Sequence, residues 1–121
     1  VELQKTARYI NPDPNPEKGY FYRSDHISLA KRGVPMLYAD GGFDLIDGGR
    51  EAGFAFGESY RLNAYHGVAD EYDESWNLEG LNQSIDVIFN ISNELANNSQ
   101  WPNWYEGNEF KATRDLSRAG K

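Results

Sequence analysis

Two histidines are the only imidazoles in this 121-residue sequence, and each stands among carboxylates and hydroxyls. His26 closes the run Ser24-Asp25-His26, directly after an aromatic stretch. His66 sits near the start of Tyr65-His66-Gly67-Val68-Ala69-Asp70-Glu71-Tyr72-Asp73. A neutral imidazole is the commonest protein metal ligand, and a nearby carboxylate often accepts its other ring N–H. The same residue types also suit turns and helix caps that do no chemistry. A catalytic zinc takes three protein ligands, and a paired-metal site takes more, including a bridging carboxylate. Spacing singles out none of the other Asp and Glu residues as a further ligand. From residue pattern alone, the chain is an α/β domain with a candidate metal-ligand histidine.

Composition removes several other chemistries. There is no cysteine, which excludes thiol catalysis, disulfides and Cys-ligated zinc. Nineteen acidic residues against 12 basic ones give a net charge of −7, a surface that repels phosphate backbones, so nucleic acid is not an expected partner. No apolar run approaches the roughly 20 residues that cross a bilayer, so no membrane is expected either. Gly41-Gly42 and Gly48-Gly49 lack the Lys-Ser/Thr of a phosphate loop. The Asn-X-Ser patterns at Asn82, Asn90 and Asn97 are common by chance, and the first two fall inside an expected helix. Trp76, Trp101 and Trp104 could form a sugar platform, but buried aromatics in a core explain them more simply.

The elements that must position the histidines are read from periodicity and punctuation. Glu2 to Ile10 reads as a short helix, ended by Asn11-Pro12-Asp13-Pro14-Asn15-Pro16, an extended connector. Gly19 to Arg23 reads as a short strand. A two-turn helix then runs from a cap at Ser24 or Asp25 to about Arg32, with Gly33 as its stop. Val34 to Ala39 is a short apolar run, read as a buried strand. Helix, glycine stop and apolar strand together suggest an α/β layer protein. Asp40 to Ala64, rich in glycine, reads as a long loop. Leu78, Leu81, Ile85, Ile88, Ser92 and Leu95 mark a long helix with Asn77 as its cap, ending near Asn97-Asn98. Phe110 to Leu116 suggests a last short helix.

The stretch from Gly19 through Ser24-Asp25-His26 to Gly33-Val34-Pro35-Met36-Leu37-Tyr38 resembles a signature of metallopeptidase family 28. That family includes bacterial zinc aminopeptidases, glutamate carboxypeptidase II and glutaminyl cyclase. Its pattern is Ser-Asp-His, a short helix, and Gly-Val/Ile-Pro opening a buried strand. Further on come a His, an Asp or Glu a few residues later, and a long helix. Tyr65-His66, Asp70 to Asp73 and the Leu78–Leu95 helix resemble that second element. Trp101 to Lys111 resembles the C-terminal end of a bacterial subgroup.

The resemblance implies a fold, a cofactor and roles. The fold would be α/β: the C-terminal part of a three-layer α/β/α sandwich with a mixed sheet, residues 1–121 being an incomplete portion of one catalytic domain. The start at Val1, with no leader, fits an excised piece. His66 would be a zinc ligand, in a site of two zinc ions per complete domain. Asp70 would orient His66, while Asp25 and His26 would lie beside the metals or on the substrate side. Some family aminopeptidases place a Tyr three residues before the Ser. Phe21 stands there instead, and Tyr22 would face the other way in a strand. The upstream His, bridging Asp, catalytic Glu and remaining carboxylates have no counterpart in this sequence.

The implied parent is a secreted or periplasmic aminopeptidase acting on peptides, in which a metal pair activates a water and polarises the scissile carbonyl. The piece alone would be inactive, hold zinc weakly, and self-associate or domain swap through exposed sheet edges. Two other classes are a non-catalytic relative serving as a binding or receptor-type domain, and an independent module binding sugar or peptide through its Trp-rich tail.

Overall fold

The computed structural model describes residue 3 and residues 8–120. Among the described residues four α-helices run in order: α1 (Ile27–Ala30), α2 (Gly49–Asn63), α3 (Glu79–Ala96) and α4 (Lys111–Arg118). Two 3₁₀ turns, Pro16–Lys18 and Tyr20–Arg23, precede α1. Among the described residues there is no β-strand, only an isolated antiparallel bridge between Leu45 and Gly49. No described helix is long and apolar enough to cross a membrane. The chain divides into two compact units, one of Val1–Tyr9 with Asp40–Asn90, the other of Ile10–Ala39 with Ile91–Lys121.

The expected sheet is therefore not seen. Gly19 adopts φ 62° and leads into the Tyr20–Arg23 3₁₀ turn, where the sequence suggested a strand. Val34 to Ala39 is irregular rather than a buried strand. A strand has no hydrogen bonds of its own and takes them from neighbours. Among the described residues no other segment shares ladder hydrogen bonds with Val34–Ala39, and Leu37 stays 64% exposed. Most of the helix expected over Glu2–Ile10 falls outside the described residues. The proline connector is irregular as far as Asn15.

The first unit is built on a helix that the glycines conceal. α2 occupies the second half of the expected Asp40–Ala64 loop because Arg50-Glu51-Ala52, Ala55, Glu58 and Arg61-Leu62 are good helix formers. Gly48, at φ 81°, turns the chain into it. Gly53 is buried on the face that meets Phe43. The Phe43 and Phe54 rings stack at 4.6 Å, and the Arg50 guanidinium lies 5.6 Å from the Phe43 ring centre. α3 follows its predicted course, with the Glu79 N–H donating to Asn77 Oδ1 at 2.9 Å. At the far end of α3, in residues assigned to the second unit, the Asn97 and Asn98 side chains donate to the carbonyls of Asn93 and Glu94, groups with no partner further along the helix.

The second unit has the better-closed packing. α1 ends with Gly33 N–H on the Ala30 carbonyl and Val34 N–H on the Leu29 carbonyl, the paired bonds of a glycine-terminated helix. Gly33 is at φ 83°, as the sequence anticipated. The N-cap is His26 in helical geometry, without a side-chain cap bond, rather than Ser24 or Asp25. Ala30 and Phe110 are buried, as is Arg114, whose guanidinium donates to the Pro102 carbonyl at 3.0 Å.

Gly53 gives a test whose sign is informative. In an open helix, Gly→Ala stabilises by about 1 kcal/mol. A Cβ on Gly53 would sit 1.9 Å from the Phe43 carbonyl oxygen, so Gly53→Ala should lower the urea midpoint instead. A gain of about 1 kcal/mol would show that α2 and Phe43 do not approach each other this way.

Candidate functional site

The segment that carries His66 begins where α2 stops. The Ala64 and Tyr65 amides both donate to the Tyr60 carbonyl, and the Gly67 amide returns to the Ala64 carbonyl at 2.7 Å. That tight turn forces His66 to φ 58°, making it the one described non-glycine residue in the left-handed region. For an L-residue this conformation costs on the order of 1–3 kcal/mol and clusters at functional positions. The imidazole stacks on Tyr65, ring centres 3.9 Å apart, and is otherwise exposed. An exposed ring on a strained turn is available to an incoming group.

Asp70 takes a different partner from the expected one. Its Oδ1 accepts the Tyr60 hydroxyl at 2.9 Å. The structure does not show the expected contact in which Asp70 orients His66. The Asp70 hydrogen bond, together with its charge, pushes the exposed Tyr60 phenol above its ordinary value of 10.0. A phenol raised in this way adds stability below its unfolded value and loses it as pH rises through the folded one. Tyr60 had no signal in the sequence, since nothing in the spacing links it to Asp70. Asp73 fixes the next turn, accepting the Ser75 amide at 2.7 Å, and contacts with Ser75 hold its carboxyl below 3.8.

Beside this turn lies an open hollow of about 370 Å³. Phe56, Tyr60 and Trp76 give it aromatic walls, and Asp70, Glu71 and Asp73 contribute carboxylates.

The other expected site residues belong to the second unit. His26 packs between two rings, Phe21 at 4.5 Å and Tyr38 at 4.9 Å. Its Nε2 is buried with no hydrogen-bond partner. Asp25 is exposed beside it. Phe21 is the hub of the cluster, also meeting Tyr22, Trp104 and Phe110. Tyr22 turns outward, its hydroxyl donating to Glu109 Oε1 at 2.5 Å, and that contact raises the phenol pKa. The expectation that Phe21 and Tyr22 face opposite sides of a strand gives way to adjacent positions on a 3₁₀ turn, with the two rings edge to face.

A zinc site needs donors that converge. Among the described residues no group of three or more His, Cys, Asp or Glu side chains does so. His66 offers a single imidazole, so the residues described do not by themselves fit a zinc ion, still less a pair.

Comparison with known proteins adds one finding. The family model described as Peptidase family M28 matches residues 2–92, a span that contains Ser24-Asp25-His26, His66 and most of α3. No curated protein and no solved structure matches the chain.

His66→Gly separates strain from packing. Glycine relieves the left-handed backbone but loosens the unfolded chain, so stability should stay level or rise by up to about 1 kcal/mol. A loss greater than that in urea titration would mean the ring is held for structural reasons.

Proposed function

The chain belongs to peptidase family M28, a family of zinc-using metallopeptidases with an α/β fold, and from that premise we propose that it is the C-terminal portion of an exported aminopeptidase. In this reading His66 is the ligand that this portion gives to a zinc site completed by residues outside it. Peptides are the substrates, and the isolated portion is inactive. The observation that carries the reading is the family match itself, whose span includes both histidine motifs.

Two structural features support it. His66 occupies a strained, solvent-facing turn, where its imidazole, stacked on the exposed Tyr65 ring, is open to a metal. The apolar stripe of α3 is also left uncovered, with Leu81 55% and Ile85 54% exposed. A helix stripe of this kind ordinarily packs on a core. In the parent the rest of the catalytic domain would cover it. In the isolated chain it favours self-association.

Asp25 and His26 remain candidates for a role beside the metals or on the substrate side, although the packing of His26 leaves its imidazole little freedom to move. The lack of converging donors among the described residues also suits a family relative that kept the fold and lost its metals, serving as a binding or receptor-type domain.

One experiment separates these readings: zinc content and aminopeptidase activity of the full-length parent, wild type beside His66→Ala. The expected result is about two zinc ions per wild-type chain, with both zinc and activity falling in the variant. A wild type free of zinc, or a variant with full zinc and activity, would leave only the family fold.

A further inference from the structure

We infer that the segment Trp101–Arg118 is a brace that fixes the Ser24-Asp25-His26 motif, with Trp104 as its positioning residue. This segment lies beyond the matched residues 2–92, so the family match does not account for it. Its contacts with the motif's surroundings are all inside the second unit and are of four independent kinds.

Trp104 Nε1–H donates to the Gly33 carbonyl at 3.1 Å, pinning the end of α1. The Phe21 ring is gripped by Trp104, edge to face at 6.4 Å, and by Phe110 at 6.2 Å. Glu109 accepts the Tyr22 hydroxyl. The backbone of α4 closes on Gly33, where a Cβ would meet Arg114 N at 2.6 Å. Trp101 is itself held, with the Arg118 guanidinium 4.4 Å from its ring centre.

The chain from Phe21 to Gly33 is thus tied at both ends, by Phe21 and Tyr22 on one side and Gly33 on the other. His26 lies between the ties, wedged against Phe21 and Tyr38 with a buried, unpartnered Nε2. A buried polar atom without a partner is costly, so the packing around it must outweigh that cost. The four contacts from Trp101–Arg118 constrain that packing through Phe21, Tyr22 and Gly33. Trp104 touches neither Asp25 nor His26 in this scheme, so it acts through the residues it holds.

The test reads neither metal nor activity, so it can fail independently of the zinc proposal. The sequence has only His26 and His66, and alanine replacement of each assigns the imidazole proton resonances. Trp104→Phe keeps a ring in the cluster and removes the N–H to Gly33. The expected result is that the His26 Hε1 resonance moves toward that of an exposed imidazole while the His66 resonance stays put. Trp104→Ala should move it further. If Trp104→Ala fails to fold, Trp104→Phe and Tyr22→Phe decide the matter. A fall in urea midpoint with an unmoved His26 resonance in the folded protein would overturn the inference, because Trp104 would then add stability without positioning the motif.

Discussion

An α-helix in water gains most of its stability by burying an apolar stripe, since propensity and caps contribute only fractions of a kcal/mol per residue. α3 carries such a stripe in Leu81, Ile85, Ile88 and Leu95, and each of the four is about half exposed. Nothing within the helix offsets this beyond the Asn77 cap and the asparagine bonds at its far end. The unburied stripe governs how the rest of the molecule is understood. It goes with a first unit tied by separate side-chain contacts, such as Arg8 on Ser84 and Tyr60 on Asp70, rather than by a continuous core. In the proposed parent, an uncovered surface of this kind is where one donor of a shared site would stand.

The second unit meets the same shortage differently. It closes around a few groups: Ala30 and Phe110 are buried, Arg114 spends its charge on a backbone carbonyl, and Trp104 satisfies its N–H on Gly33. Aromatic side chains bury large areas at little conformational cost, so a small cluster can hold a short helix that would not persist alone. Gly33 is the hinge of this economy. It ends α1 in the left-handed region and lets α4 approach to backbone contact, and no other residue can do both.

What the sequence made legible follows from the range of the forces involved. α3 could be read because its apolar spacing and its Asn77 cap are local, and the Gly33 stop is equally local. α2 was hidden by its glycines, since Gly53 is there for a close approach to Phe43, a tertiary demand that propensity cannot display. The strand expected at Val34–Ala39 depends on hydrogen bonds from other segments, so an apolar run alone could not establish it. At the candidate site, the left-handed turn at His66 has only Gly67 as a hint, and the pairing of Asp70 with Tyr60 had none. The family signature reached further than spacing, because it carries information about partners that the residues themselves do not show.

With His66 as its proposed zinc ligand, this chain would hold the metal only with donors from outside the described residues. Titrating zinc into the 121-residue chain while following its two imidazoles tests this directly. Stoichiometric zinc is expected to leave both resonances in place, since among the described residues no donors converge on either imidazole. A saturable, one-to-one shift of the His66 signal, abolished in His66→Ala, would contradict it and require a complete site within these residues.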